Sequence, residues 1–324
     1  MKLLHSANTH SFASDNYAGV HPEIFAALQA ANGGHVGAYG NDVYSERLQE
    51  LVKQHFGAQA EAFPVFNGTG ANVLALQAVL PRWGGVICAD TAHINHDEST
   101  APQAVGGFKL WPVPSENGKL TPELIRHETY GYGFEHRAQP LAVSITQSTE
   151  CGTLYSIEEI RAIAEVCREH GMALHMDGAR LANAAAALGA ELRDITTDAG
   201  VDILSFGGTK NGLMFGECVL VLNPAKVSDG LKYLRKLNLQ LASKMRFLSA
   251  QFIALLEDGL WRSNAQQANA MAARLADGLL ALPGVEAVYP PQANGLFVRL
   301  PEGVADKARE HAAFYDWDNE GTVR

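Results

Sequence analysis

The sequence predicts an α/β protein in which a large domain, with a mostly parallel sheet flanked by helices, precedes a small C-terminal α+β domain. Over the first 224 residues, short apolar runs alternate with helical patterns, which is typical of a mostly parallel sheet. After residue 224 the chain changes to a long stretch of helix-forming residues and then to a second set of short strands. We therefore predict a large domain at 1–224, with an N-terminal arm at 1–20, and a connecting helix with a small domain at 225–324.

Seven apolar runs are the predicted strands of the large sheet, because each of them stops at polar or glycine residues. They span 62–66, 86–89, 108–113, 141–146, 172–176, 203–206 and 218–222. The small domain is predicted to contain two strands at 285–289 and 295–300. A helix from about 302 and an aromatic strand around 314 are predicted to follow.

Two predicted helices between these strands have clear boundaries. One spans about 41–57. The other spans 156–170 and begins with the capping box formed by Ser156 and Glu159, in which each side chain bonds the other residue's backbone N–H. Gly171 follows at the usual position of a helix C-cap. The region that ends near residue 282 is rich in helix formers, and we predict one long connecting helix there.

Length and composition are those of a globular protein, and the charge bears on its partners. The chain has 324 residues, a net charge of −10, and 47% hydrophobic and 19% charged residues, which are ordinary values for a globular protein. The acidic balance argues against nucleic acid or an anionic membrane as a partner. We expect a cytoplasmic protein, because the sequence has no run of 18 apolar residues, no signal-peptide core and only four scattered cysteines.

A glycine-rich turn follows the first predicted strand. It reads Asn67-Gly68-Thr69-Gly70 and opens an apolar helix. Glycines allow close approach of the backbone to an anion, and a helix N-terminus offers free N–H groups, so the turn fits a phosphate. A plain strand-to-helix turn would have the same sequence pattern.

Two later strand ends deliver a carboxylate and an amine. Asp177 ends the fifth predicted strand, with Arg180 three residues on; a structural salt bridge is the alternative reading of that pair. Lys210 follows the next strand among glycines. Most lysines are solvated at the surface, but a partly desolvated lysine loses its proton more easily and becomes a nucleophile.

Together the turn, the carboxylate and the lysine fit one cofactor, pyridoxal 5′-phosphate. Asp177 would keep the pyridine nitrogen protonated, so that the ring accepts electrons. Lys210 would hold the aldehyde as a Schiff base until an amino-acid substrate displaces it. A nucleotide-binding protein is the weaker alternative, because the turn lacks the P-loop lysine and the G-x-G-x-x-G spacing.

Over nearly its whole length the chain resembles the low-specificity L-threonine aldolases, which are fold-type-I pyridoxal-phosphate enzymes, and it is most similar to a bacterial branch that includes phenylserine aldolases. The matching stretches are 12–17 (FASDNY), 21–23 (HPE), 38–40 (AYG), 66–69 (FNGT), 91–93 (TAH), 145–147 (ITQ), 175–180 (HMDGAR), 206–211 (FGGTKN), 242–248 (ASKMRFL) and 293–295 (ANG). The resemblance implies a homodimer or homotetramer with shared active sites.

The resemblance also implies a role for individual residues. Lys210 would bind the aldehyde of the cofactor, Asp177 its ring nitrogen and Arg180 its phenolic oxygen. Gly68 and Thr69 would bind its phosphate, and His93 would stack on its ring. Residues that would bind the substrate carboxylate are Ser14, Arg180 and Arg324. Residues that would reach a neighbouring subunit's phosphate or site are Arg246, Lys236, Tyr39 and Gly40.

The resemblance implies retro-aldol cleavage of L-threonine, L-allo-threonine and related β-hydroxy-α-amino acids to glycine and an aldehyde. Two alternatives stay open. A β-eliminating lyase or dehydratase would use Lys210 and Asp177 but release ammonia and a keto acid, and a catalytically impaired protein would only bind the cofactor. Family members continue beyond the position of Arg324, so we expect the small domain to be cut short and this arginine to be frayed.

The base that removes the proton of the β-hydroxyl has three candidates: His93, His136, and a water held by His93 and Glu98. Histidine suits this task because its pKa lies near neutral pH. His93, His96 and Glu98 do not have the H-E-x-x-H spacing of a zinc site, and we predict no metal.

Overall fold

The structure, a computed structural model, describes residues 3–324. Within them the large sheet has seven strands, each within two residues of its predicted ends: β1 Glu61–Val65, β2 Gly84–Ala89, β3 Lys109–Val113, β4 Gln139–Thr146, β5 Ala173–Gly178, β6 Ile203–Gly207 and β7 Glu217–Val221. A small sheet contains β8 Glu286–Ala287, β9 Val298–Arg299 and β10 Thr322–Val323. The predicted fold class is confirmed, while the division of the chain at residue 224 stays a prediction.

The large sheet has the order β1-β7-β6-β5-β4-β2-β3. Strands β3, β2, β4, β5 and β6 are parallel, whereas β7 runs antiparallel to both of its neighbours, β6 and β1. Because two reversals cancel, β1 has the same direction as β6. The carboxyl ends of six strands therefore lie at one edge of the sheet.

Eleven α-helices lie within the described residues: α1 Pro22–Ala30, α2 Val43–Phe56, α3 Gly68–Val79, α4 His93–His96, α5 Pro122–Glu128, α6 Ile157–Glu169, α7 Leu181–Leu188, α8 Leu231–Leu237, α9 Arg246–Glu257, α10 Leu260–Leu280 and α11 Val304–Arg309. Helices α2 and α6 match the two helices with predicted boundaries, and both bonds of the α6 capping box are present. None of the helices in 3–324 has the length and apolar character needed to cross a membrane.

The prediction of one long connecting helix was wrong, because this region forms α8, α9 and α10. Leu239 has a φ of +62° after α8, and Gly259 has a φ of +70° between α9 and α10. A residue with left-handed backbone cannot continue a right-handed helix. The chain therefore turns at both positions and packs α9 against α1 and α2.

The aromatic strand predicted around residue 314 was also wrong. In this segment Ala313 forms an isolated bridge with Ser11, and Asp316 forms one with Val323. Because the two bridges join different partners, the segment does not form a continuous strand. The third strand of the small sheet is β10 instead, which pairs antiparallel with β9.

Both faces of the large sheet are covered by helices. Along β7, Cys218 and Leu220 belong to the core beneath α2, α6, α7 and α9, while Val219 and Val221 pack with α3 on the opposite face. This alternation follows the two-residue period of a strand. A sheet buried on both faces explains why its strands were visible as short apolar runs in the sequence.

Candidate active site

The carboxyl ends of the strands bring the predicted reactive groups to one edge of the large sheet. β1 is followed by Asn67 at the start of α3, β2 leads to His93, and β4 leads to Glu150. β5 carries Asp177, and β6 is followed by the short 3-10 turn that contains Lys210. In open α/β sheets this edge is where ligands bind.

The N-terminus of α3 forms a cup with free donors. The Asn67 side chain accepts the N–H of Gly70 at 2.8 Å, which caps the helix. The N–H groups of Gly68 and Thr69, at the first two helical positions, have no partner within the helix. These two donors and the helix dipole give the cup the chemistry of an anion site.

Asp177 is buried, with 5% of its surface exposed, and both carboxylate oxygens are bonded. Oδ1 accepts the N–H of Ala179 at 3.0 Å, and Oδ2 accepts from Nδ2 of Asn72 at 2.8 Å. The same Asn72 nitrogen donates to Oε1 of Glu98, also at 2.8 Å. Asn72 therefore fixes the position of two buried carboxylates. The sequence analysis missed it, although a polar residue in the apolar α3 was a usable signal.

His93 is held by two carboxylates at the start of α4. Its Nδ1 lies 2.8 Å from Oε1 of Glu98, and its backbone N–H donates to Oε1 of Glu150 at 2.8 Å. The hydrogen bond with Glu98 is the largest cause that raises the pKa of His93, and the charge of Asp177 adds to it against the opposing effect of burial. The ring is thus fixed at Nδ1, which leaves Nε2 as the nitrogen available for chemistry.

The side chains of His93, Glu98 and Asp177 form a cluster that could hold a metal ion. One ligand atom of each lies within 4.8 Å of the other two. Asn72 already bonds both carboxylates, and Glu98 bonds the histidine. The absence of a metal from this cluster stays a prediction.

Lys210 lies in a turn that a buried glutamate anchors by a hydrogen bond. Burial is the largest cause that lowers the pKa of Lys210, followed by the charge of Arg180. Oε2 of Glu217, at the start of β7, accepts the N–H of Gly208 at 2.8 Å. Burial raises the pKa of Glu217 to about 7. The turn that presents the amine is therefore anchored by a group that titrates near neutral pH.

We expect the stability of the cofactor-free protein to fall between pH 5 and pH 8 because of Glu217. A carboxyl with a raised pKa binds its proton more tightly in the folded state, so it stabilises the fold at low pH and loses that contribution as the pH rises through about 7. The variant E217Q lacks this titration. Over this range, urea unfolding should show wild type losing about 2 kcal/mol more than E217Q. Equal pH dependence would contradict the assignment.

Arg180 forms a bidentate ion pair with Asp15 of the N-terminal arm. Its Nε and Nη2 donate to the two carboxylate oxygens at 2.7 and 3.0 Å. Burial alone would raise the pKa of Asp15, but the charge and hydrogen bonds of Arg180 outweigh it and the pKa is lowered. Asp15 thus fixes Arg180 and places the adjacent Ser14. The sequence analysis quoted Asp15 within a motif but gave it no role.

The variant D15N is expected to reduce the free energy of unfolding by about 2–3 kcal/mol, because it removes the charged partner of both bonded donors of the partly buried Arg180 guanidinium. Urea unfolding measures this loss. The matched control is D306N, whose partner Arg309 forms an exposed pair and which should change stability by less than about 1 kcal/mol. Equal effects of the two substitutions would contradict a special role for the buried pair.

A cavity of about 890 Å³ adjoins this edge, and its wall includes Ser14, Arg180 and Arg324. The backbone of Arg324 pairs with Tyr315 at 2.9 and 3.1 Å, and its guanidinium packs over the rings of Phe297 and Trp317. The expectation of a frayed arginine therefore differs from the structure. The three residues predicted to bind a substrate carboxylate line the same cavity, although their role stays a prediction.

Glu150 is a site residue that the sequence analysis missed. It lines the cavity, and its Oε1 accepts from Thr146 Oγ1 at 2.9 Å in addition to the His93 N–H. Burial, and then the charge of Asp177, raises the pKa of Glu150 to about 6. A single glutamate forms no pattern, and only its place after the predicted strand 141–146 could have indicated it.

Comparison with known proteins decides the family. A family model described as beta-eliminating lyase matches residues 11–302. The chain belongs to the beta-eliminating lyase family. A low-specificity L-threonine aldolase of Pseudomonas aeruginosa is 43% identical over 98% of this chain and 92% of its own length, and one from a second Pseudomonas strain gives the same three values. The solved structure of Leishmania major threonine aldolase, 31% identical, covers 97% of this chain and 92% of that protein with a TM-score of 0.91.

The cofactor of the beta-eliminating lyase family is pyridoxal 5′-phosphate, and the residues at the sheet edge fit it. Lys210 would supply an amine for its aldehyde, Asp177 a carboxylate for its ring nitrogen, and the α3 cup donors for its phosphate. Space is open beside the cup, because a Cβ built on Gly68 would meet no atom within 4 Å. When bound, the cofactor supplies an electron sink for the bonds of the substrate Cα.

His136 does not lie at the sheet edge of its own chain, and its role as the base stays a prediction. It precedes β4, whereas the site lies at the carboxyl end of that strand, about 25 Å away for an eight-residue strand. Its side chain is 74% exposed and packs against Phe134.

Arg246 and Lys236 each make contacts with their own chain. Nη1 of Arg246 donates to the carbonyls of Gly33 and Gly34 at 3.3 and 3.4 Å. Nζ of Lys236 lies 5.4 Å from the ring centre of Tyr39. These contacts hold both cations near the surface of their own chain, and their role toward a neighbouring subunit stays a prediction.

Proposed function

We propose that this chain cleaves L-threonine, L-allo-threonine and related β-hydroxy-α-amino acids to glycine and an aldehyde, with pyridoxal 5′-phosphate as cofactor. The observation that carries the proposal is the convergence of Lys210, Asp177 and the Gly68-Thr69 cup on one sheet edge. The Pseudomonas relatives, which are named low-specificity L-threonine aldolases, support the substrate class.

The residues of the chain would divide the reaction between them. Asp177 would hold the proton at the ring nitrogen of the cofactor, and the amine of Lys210 would hold its aldehyde. Arg180, with Ser14 and Arg324, holds the substrate carboxylate. Pinning the carboxylate decides which bond at Cα is aligned for cleavage, which is an orientation effect.

Removal of the β-hydroxyl proton falls to His93, directly or through a water held with Glu98. Nδ1 of His93 is already bonded to Glu98, so Nε2 is the atom that would receive the proton. Because the pKa of His93 is raised, a larger fraction of this histidine is protonated at a given acidic pH and unable to act as a base.

Two coupled assays test the proposal with purified protein, cofactor and L-allo-threonine. Alcohol dehydrogenase with NADH detects acetaldehyde, the product of retro-aldol cleavage, and lactate dehydrogenase with NADH detects the keto acid that elimination would give. We expect the first signal, with glycine formed in equal amount. The keto-acid signal alone would assign the chain to β-elimination. Bound cofactor without either product would mean that the chain binds the cofactor but does not catalyse the reaction.

We also propose a homodimer or homotetramer in which Arg246 and Lys236 add positive charge to a neighbouring subunit's phosphate. Large apolar side chains are exposed beside the cup, where the rings of Phe66 and Phe215 stack at 6.4 Å. Tyr39, Met214 and Leu239 are exposed as well. Exposed apolar surface of this kind favours association. Light scattering tests the proposal, which a monomer would overturn.

The location we propose is the cytoplasm. All four cysteines, Cys88, Cys151, Cys167 and Cys218, are free and buried. Buried free thiols suit a reducing compartment, where disulfides are rare. Fractionation of the producing cells tests this proposal, and recovery of the protein outside the cytoplasm would overturn it.

A further inference from the structure

Gln240 lies against the phosphate cup although no motif pointed to it. Its Oε1 accepts the backbone N–H of Phe66 at 3.0 Å, immediately before the cup. A Cβ built on Gly70 would lie 2.5 Å from Cδ and from Nε2 of the same side chain. The Gln240 amide therefore covers one side of the turn, and the absence of a side chain at Gly70 is what makes room for it.

The orientation of this amide is fixed by its partner. A backbone N–H can only donate, so the atom facing Phe66 must be the oxygen, and Nε2 is the other end of an amide that lies against Gly70. Within residues 3–324, Nε2 has no protein acceptor. The NH₂ group of Gln240 is thus a side-chain donor beside the cup that the protein itself leaves unused.

The segment that carries Gln240 is anchored rather than loose. Asn238 donates from Nδ2 to Oε1 of Gln77 on α3 at 2.6 Å, and the N–H of Gln240 donates to the carbonyl of Arg235 at 2.9 Å. Leu239 between them adopts a φ of +62°. These contacts tie the segment to the same helix whose N-terminus forms the cup.

We propose that Gln240 is a further ligand of the cofactor phosphate, donating from Nε2 to a phosphate oxygen beside the N–H groups of Gly68 and Thr69. The inference rests on the proposed pyridoxal-phosphate function. Gly70 N–H is already used by Asn67, so the cup itself has two free donors at its first helical positions. A third donor, from a neutral side chain, fixes the phosphate without adding charge.

The variant Q240E tests the proposed phosphate contact most sharply. It keeps an oxygen for the Phe66 N–H, but it loses the NH₂ donor and adds a negative charge. Equilibrium dialysis measures the Kd of pyridoxal 5′-phosphate and of pyridoxal, which lacks the phosphate, for wild type and Q240E. The control Q54E adds the same charge at an exposed position of α2.

We expect Q240E to raise the Kd of pyridoxal 5′-phosphate by about tenfold or more, the scale of a hydrogen bond to a charged group, and to leave that of pyridoxal within about twofold of wild type. Q54E should change neither. An unchanged Kd for pyridoxal 5′-phosphate, or equal weakening of both compounds, would overturn the role of Gln240. A wild-type protein that binds neither compound would overturn the proposed function itself.

Discussion

Replacement of Lys210 by alanine is expected to lower kcat with L-allo-threonine by roughly a thousandfold or more, the scale on which loss of a covalent catalytic group acts. The side chain is partly desolvated, and its lowered pKa favours the neutral amine that attacks an aldehyde. Without this amine the cofactor cannot be held covalently or released to the substrate. Steady-state formation of acetaldehyde measures the loss.

Two controls separate chemistry from folding in the K210A experiment. K210A should still bind the cofactor without a covalent bond, because Asp177 and the cup remain, and dialysis should then remove it. K232A removes an exposed lysine of α8 and should keep wild-type activity. Turnover at the wild-type rate in K210A would remove the basis of the proposed mechanism.

Replacement of Asp177 by asparagine is expected to lower kcat by roughly 10² to 10⁴ when the cofactor is saturating, the range for loss of a positioned proton-holding group. The neutral amide cannot hold a proton on the ring nitrogen by charge. The substitution also places an NH₂ group opposite Nδ2 of Asn72, because Oδ1 must still accept the N–H of Ala179 and Nδ2 of Asn72 must still donate to Glu98.

The control for Asp177 is D229N, an exposed position before α8, which should leave kcat unchanged. The unfolding midpoint of D177N, measured on the same preparation, separates a loss of folded protein from a loss of chemistry. A D177N protein with wild-type kcat at saturating cofactor would show that this carboxylate does not serve the ring nitrogen.

The sequence predicted the strands and several candidate residues for one physical reason. A sheet buried on both faces is built from short apolar runs, and groups that follow such runs share an edge when the strands are parallel. Lys210 and the Gly68-Thr69 cup follow strands in this way, and Asp177 lies near the carboxyl end of β5. His136 precedes its strand, which places it at the opposite edge of the sheet within its own chain.

The supporting residues could not be predicted because their contacts join distant parts of the chain. Asn72 bonds Asp177 across 105 positions, and Gln240 bonds Phe66 across 174. The ion pair of Arg180 with Asp15 spans 165 positions. The antiparallel direction of β7 was equally invisible, since an apolar run does not show which way its strand points.

The most direct test of the account is a proton NMR time course of the protein with pyridoxal 5′-phosphate and L-allo-threonine in D₂O. Retro-aldol cleavage breaks the Cα–Cβ bond, so the glycine first formed should carry one deuterium at Cα, while acetaldehyde keeps the proton of Cβ. We predict these two products in equal amounts. A keto acid and ammonia in their place would contradict the account.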